Sequence, residues 1–166
     1  LAAPLGDHLV VGSADDVWIA DPAGTTFTLA PGLSNATDAM VLDGELLVTS
    51  QVGGLLRSRD PTTAWTPSNG ALEPFPTSAG TFIDARAIVR VGERMFMGLR
   101  GAGVATSDDQ GATWSLTTNA LSDEQVVRLV VIDDVLYALA YGKGVWRSSD
   151  DGKTWVELNA GLDRLA

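Results

Sequence analysis

The sequence predicts an all-β protein built from four repeats of one small antiparallel sheet. Two observations lead there. One eight-residue string that closes on tryptophan is written twice. Upstream of it, pairs of short apolar runs split by turn residues recur at a similar distance. Self-similarity with a period of roughly 20–50 residues is the signature of a repeat architecture.

The string comes first. Residues 107–114 read Ser-Asp-Asp-Gln-Gly-Ala-Thr-Trp, and residues 148–155 read Ser-Ser-Asp-Asp-Gly-Lys-Thr-Trp. Both fit S-x-D-x-G-x-T-W, with the tryptophans 41 residues apart. Ser, Asp and Gly in close succession make a tight turn. The Asp carboxylate accepts from backbone N–H groups, and Gly takes a positive φ. Val104-Ala105-Thr106 before the turn and Thr113-Trp114-Ser115-Leu116 after it read as strands. The motif therefore predicts a hairpin with Ser107, Asp109 and Gly111 in its turn and Trp114 as a large buried anchor. Ser148, Asp150, Gly152 and Trp155 take the same roles in the later copy.

Two weaker copies lie upstream. Ser58-Arg59-Asp60-Pro61-Thr62-Thr63-Ala64-Trp65 keeps Ser58, Asp60 and Trp65 but loses Gly and Thr. Ala20-Asp21-Pro22-Ala23-Gly24-Thr25-Thr26-Phe27 keeps Gly and Thr and sets Phe27 where tryptophan stood. Anchors then fall at 27, 65, 114 and 155. Gly54, Gly103 and Gly144 each precede their anchor by eleven residues, a place held by Asp16 in the first copy.

The upstream halves agree. Ala39–Leu42 pairs with Leu46–Thr49, Ala87–Val91 with Met95–Gly98, and Val126–Val131 with Val135–Leu139. Asp43-Gly44, Gly92-Glu93 and Asp133-Asp134 split the pairs. Each unit thus holds four strands, A to D. The runs are nearly continuous in apolar character, which predicts sheets buried on both faces.

The S-x-D-x-G-x-T-W string resembles the Asp-box, or BNR repeat, of sialidase-like β-propellers, and the resemblance extends over the whole chain. It implies a β-propeller of four-stranded antiparallel blades with Asp-box turns between strands C and D. Four blades are expected, at about 1–31, 32–70, 82–118 and 122–160. Residues 67–81, rich in Pro, Ser, Gly and Thr, form an irregular insertion. The register places the chain cut inside the link entering strand A. The stub Ala2–Leu5 is weakened by Pro4, which has no N–H to donate. Completion by further propeller blades is expected, from a second copy or from the rest of the parent chain.

Composition narrows the function. The chain has 166 residues and 45% apolar content, enough for one modest repeat domain. No 18-residue apolar run is present, so no membrane-spanning helix is predicted. The absence of cysteine excludes disulfides, thiolate metal sites and Cys nucleophiles. Net charge is −10, without the basic footprint that a nucleic-acid partner requires. The chain starts at Leu1 and reads as a processed or excised piece. A secreted, periplasmic or cell-surface location is expected over a cytoplasmic one.

The Asp-box acids look catalytic, but a catalytic residue is unique and these recur with the repeat. Asp109 and Asp150 are therefore expected to be structural, on the outer edge away from the ligand face. Sialidase chemistry needs an arginine cluster, a Tyr nucleophile with Glu, and an acid Asp. The family's Phe/Tyr-Arg-Ile-Pro motif is absent. Arg86, Arg90, Arg100 and Arg128 do not define a triad, and Tyr137 reads as strand core. His8, the single histidine, reads as an exposed turn residue. Asp15-Asp16, Asp133-Asp134 and Asp150-Asp151 lack the alternating spacing of a calcium loop. Gly101-Ala102-Gly103 has no following helix or Lys and reads as a hairpin turn. No metal or cofactor is expected.

By propeller topology the ligand face carries the B–C turns and D–A links. Gln51, Arg100, Tyr141 and Lys143 fall on the B–C turns. The 67–81 insertion, Asp84 and Arg86 fall on the links. These residues differ from repeat to repeat, and divergence inside a regular frame is where specificity is placed. The resemblance implies a non-enzymatic binding or scaffold module for a protein or glycan, as in Asp-box propellers of photosystem assembly and sortilin-type receptors. The alternative is a fragment or subunit of an Asp-box glycoside hydrolase, sialidase-like or glucanase-like, with its catalytic residues elsewhere.

Overall fold

The computed structural model describes residues 2–5, 8–12, 16–21, 23–77 and 80–162. They form four antiparallel four-stranded sheets, each with its strands in sequence order. Sheet I holds β1 (Ala2–Leu5), β2 (His8–Gly12), β3 (Val17–Ala20) and β4 (Phe27–Leu29). Sheet II holds β5 (Ala36–Leu42), β6 (Glu45–Ser50), β7 (Gly54–Ser58) and β8 (Thr66–Pro67). A separate hairpin follows, β9 (Phe75–Thr77) with β10 (Gly80–Phe82). Sheet III holds β11 (Ala85–Val91), β12 (Arg94–Leu99), β13 (Gly103–Ser107) and β14 (Ser115–Leu116). Sheet IV holds β15 (Val126–Ile132), β16 (Val135–Ala140), β17 (Gly144–Ser148) and β18 (Val156–Glu157).

Local chemistry explains the strands. β6 and β12 bury every residue after the first, so alternation disappears and an apolar run takes its place. Asp43-Gly44 and Asp133-Asp134 hold positive φ at both central positions, as a tight I′ hairpin turn requires. The long first strands β5, β11 and β15 each carry a register shift, between Ala36 and Asp38, Ala85 and Ala87, and Val126 and Arg128. A bulge at one recurring place re-aims the extra residue, here Thr37, Arg86 or Val127.

The core lies between sheets. Residues directly opposite on antiparallel strands share a face. Each sheet therefore has a leading face toward its successor and a trailing face toward its predecessor. Val17 and Ile19 of sheet I, with Ala30 just past β4, pack with Leu46 and Val48 of sheet II and with Trp65, just before β8. Leu47 and Leu55 of sheet II pack with Met95 and Met97 of sheet III and with Trp114, just before β14. Phe96 and Val104 of sheet III pack with Leu136 and Ala138 of sheet IV and with Trp155, just before β18. Each tryptophan faces backwards, onto the preceding sheet. Full burial of one such aliphatic side chain contributes about 1.5–3 kcal/mol.

Polar stitches cross the last two of these seams. Arg57 Nη2 donates to the Gln110 carbonyl at 2.6 Å, and Ser68 Oγ to the Gly111 carbonyl at 2.6 Å. Asn119 Nδ2 donates to the Gly152 carbonyl at 3.1 Å. Near the first strands, Thr37 Oγ1 donates to the Ala85 carbonyl at 2.7 Å.

Several expectations are corrected. Thr113 and Trp114 lie outside the last strand of sheet III, which pairs only through Ser115 and Leu116. The insertion is not irregular throughout. Phe75–Thr77 pairs with Gly80–Phe82, and Phe75 and Leu72 pack against the core between sheets II and III. Phe27 sits opposite Ala20 in the ladder but is 56% exposed, whereas Trp114 is 4% exposed. Among the described residues no sheet covers it. His8 opens β2 rather than lying in a turn. Asp15, of the pair Asp15-Asp16, lies outside the described residues, as does Pro22.

Candidate binding face

The two edges of the sheets differ in chemistry. One carries the Ser-Asp-Gly turns. Asp109 Oδ1 accepts from Thr113 N at 2.8 Å and Ser107 Oγ at 2.8 Å, and its Oδ2 from Thr113 Oγ1 at 2.5 Å. Gly111 N donates to Ser107 Oγ at 2.8 Å. Asp150 repeats this with Thr154 N at 2.9 Å, Thr154 Oγ1 at 2.6 Å and Ser148 Oγ at 2.8 Å. Gly111 and Gly152 take φ of 82° and 75° to turn the chain. The threonine hydroxyl, then its N–H, then the serine hydroxyl hold both carboxyls down to about 2.

The weaker copies keep part of this device. Asp21 accepts from Thr25 N at 2.6 Å, Thr25 Oγ1 at 2.8 Å and Thr26 N at 3.1 Å. The Thr26 backbone is the chief cause of its fall to about 2. Asp60 instead grips Thr62, two residues on, through N at 3.1 Å and Oγ1 at 2.6 Å. Ser58 is buried at the end of β7, and Trp65 is half-buried.

The opposite edge is assembled by one backbone bond made three times. Gln51 N donates to the Asn35 carbonyl at 3.1 Å, Arg100 N to Asp84 at 2.9 Å, and Tyr141 N to Gln125 at 2.9 Å. Each bond ties the middle turn of a sheet to the link entering that sheet. Gln51, Arg100 and Tyr141 therefore hold equivalent places with different side chains.

Around them the side chains divide into frame and surface. Asp84 is buried, and Arg86 grips it twice, Nε to Oδ1 at 2.5 Å and Nη2 to Oδ2 at 2.9 Å. This pair sets the entry to β11 and is frame. Arg100 Nε donates to Gln125 Oε1 at 3.1 Å, across to the next link. Gly101 and Gly103 both donate to the Glu124 carbonyl, at 3.3 and 3.0 Å. Lys143 Nζ lies 3.6 Å from Glu124 Oε1. Tyr141 is 67% exposed, and Val52 beside Gln51 is also exposed. A Cβ at Gly101 would stand 3.9 Å from the Phe75 ring, so the inserted hairpin leans on this edge.

Sequence reasoning missed Asn35, Asp38 and Gln125, and weighed Arg128 only as a member of an arginine triad. Asp38 Oδ2 accepts from Ile88 N at 3.2 Å, and Arg128 Nη1 approaches Asp38 Oδ1 at 3.6 Å. These residues precede or follow the bulge, and superposing the repeats at Ala36, Ala85 and Val126 would have found them. The edge is thus a mixed surface of aromatic, amide and cationic groups. Asp38, Asp84 and Glu124 each face a cation. Among the described residues no His, Asp or Glu cluster is arranged to hold a metal, and no helix is long and apolar enough to cross a membrane.

No protein-family model matches the sequence, and no curated protein matches it. Solved structures do. An ancestral GH74 enzyme superposes with a TM-score of 0.71 at 14% identity, over 94% of this chain and 23% of its own. The extracellular domain of a hybrid two-component system protein from B. thetaiotaomicron gives 0.73 at 14% identity, over 95% and 21%. YCF48 bound to D1 peptide gives 0.61 at 16% identity, over 99% and 53%. All are β-propeller folds, and the likeness supports a propeller fold for this chain. The chain spans about a quarter of the GH74 enzyme and about half of YCF48.

Proposed function

We propose that the chain is a four-blade propeller segment of the Asp-box type that acts as a non-enzymatic binding module. Its ligand is a protein segment or a glycan, and its binding face is the edge bearing Gln51, Arg100, Tyr141 and Lys143. One observation supports this above the others: the threefold backbone bond that sets Gln51, Arg100 and Tyr141 at equivalent places with unlike side chains. The Asp turns on the other edge spend their carboxylates on their own Thr and Ser groups. Tyr and Arg are residue types enriched among binding hot spots, and here Tyr141 is exposed while Arg100 is half-buried. The peptide complex of YCF48 fits a module of this kind, and the extracellular neighbour fits a secreted or surface location.

A second reading, part of a glycoside hydrolase, draws on the GH74 likeness. It requires two carboxyls across a cleft, one acid and one base or nucleophile. The cation pairing of Asp38, Asp84 and Glu124 argues against these three.

Peptide and glycan arrays followed by calorimetry test the proposal. Tyr141→Ala and Arg100→Ala should each weaken the ligand found by at least tenfold, a loss of about 1.4 kcal/mol, with the melt unchanged for Tyr141→Ala. Turnover of aryl glycosides, or full affinity in both variants, would refute it.

A further inference from the structure

Among the described residues, both halves of the repeating interface stand uncovered, one on sheet I and the other on sheet IV. The trailing face of sheet I presents Leu9, Val11, Trp18 and Phe27, by the pairs Leu9 with Ala20, Val11 with Trp18 and Ala20 with Phe27. In sheet III the same places hold Met95, Met97 and Ala105, all buried, with Trp114 beside them. The leading face of sheet IV presents Val130, Ile132, Tyr137 and Leu139, by the pairs Val130 with Tyr137 and Ile132 with Val135. Ile132 is 55% exposed, and Leu42, at its place in sheet II, is 6% exposed. Leu9, Phe27, Val130 and Leu139 are exposed as well.

The polar stitch is also present in half. Arg57 stands opposite Leu47 and donates to the turn of the following sheet. Arg147 stands opposite Tyr137, the same place in sheet IV. Sheet I supplies a turn of the matching kind, closed by Asp21 on Thr25.

We infer that sheet I of a second copy docks on the leading face of sheet IV, head to tail. The contact repeats the apolar packing of the three interfaces already inside the chain and the arginine stitch of the one between sheets II and III, with Phe27 in the role of Trp114 and Arg147 in the role of Arg57. A head-to-tail contact consumes one face of each kind and leaves the other pair free. Made twice, it closes a two-copy ring; heterologous contacts give rings where the rotation closes. A second copy is the occupant because one chain displays both complementary faces. Contiguous exposed apolar faces mark interaction sites.

Sedimentation of the chain at micromolar concentration should give twice the chain mass. Phe27→Glu and Ile132→Glu should each give the single mass, with the circular dichroism spectrum retained because both side chains are exposed. Mixing the two variants leaves one seam native and should restore the double mass. A folded wild-type monomer, a dimer that survives Phe27→Glu, or no recovery on mixing would overturn the inference. If either Glu variant fails to fold, single-cysteine chains decide it. The chain has no cysteine of its own. Phe27→Cys and Tyr137→Cys chains should crosslink with a bismaleimide when mixed and not when separate. Equal crosslinking in separate samples would sink the head-to-tail arrangement.

Discussion

The indole Nε1 of Trp114 donates to the carbonyl of Ser68, just past the last strand of the neighbouring sheet, at 2.9 Å. The same hydrogen reaches the Gly111 carbonyl at 3.1 Å, so the anchor ties its own turn to the sheet behind it. Trp155 has the same packing role, yet its Nε1 has no partner among the described residues.

The two anchors should therefore respond differently to Phe. Both substitutions remove similar volume from a core seam. Trp114→Phe also removes a buried hydrogen bond, worth about 0.5–1.5 kcal/mol, and leaves the Ser68 carbonyl short of a donor. Trp155→Phe removes a donor that was already unpaired. Urea unfolding should show Trp114→Phe the less stable by about 1 kcal/mol. Equal losses would mean that the Ser68 bond contributes nothing. Trp155→Ala removes the whole ring and should cost about 3–5 kcal/mol.

What could be read from sequence depended on how local its physics is. The Asp109 and Asp150 turns were legible because donor and acceptor lie within four residues of each other. Pairs such as Ala87–Val91 with Met95–Gly98 were legible because their separating turns are short. Phe27 was not, because its exposure depends on whether another sheet covers it. The β9–β10 hairpin was hidden because Phe75 gains its packing from residues far along the chain. At the candidate face, the positions of Gln51, Arg100 and Tyr141 followed from the repeat. The burial of Asp84 did not, since a bulge beside Ala85 decides where Arg86 points.

The Asp turns predict an acid-sensitive fold. Asp21, Asp109 and Asp150 stand at about 2, below the ordinary 3.8. A carboxyl depressed on folding stabilises the native state fully above its unfolded value, and that contribution fades as pH falls toward the folded one. Thermal melts should therefore be level near neutrality and drop between about pH 4 and pH 2. Replacing all three aspartates by Asn should lower the melt at pH 7 and flatten this acid limb. An acid limb of unchanged steepness in the triple variant would assign acid sensitivity to other carboxyls.

The last prediction isolates a clash from backbone strain beneath the binding edge. Gly92 and Gly103 both adopt left-handed φ, 56° and 69°. A Cβ at Gly92 meets nothing within 4 Å, whereas one at Gly103 strikes the carbonyl oxygen of Leu121. That carbonyl is backbone, in the link whose Glu124 accepts from Gly101 and Gly103, so it has little room to retreat. Gly92→Ala pays only the φ term, about 1–2 kcal/mol. Gly103→Ala adds overpacking of about 1–3 kcal/mol, for a total on the order of 2–5 kcal/mol. Gly144→Ala should fall between them, because its clash is with the Asn159 side chain, which can rotate away at the expense of its bond from Val145 N. Chemical denaturation of the three variants should give that order. Gly103→Ala should also weaken ligand binding, since it shifts the turn that carries Arg100, while Gly92→Ala on the opposite edge should leave affinity unchanged. A Gly103→Ala protein as stable as Gly92→Ala would show that the 121–124 link yields, and that the face is softer than its hydrogen bonds imply.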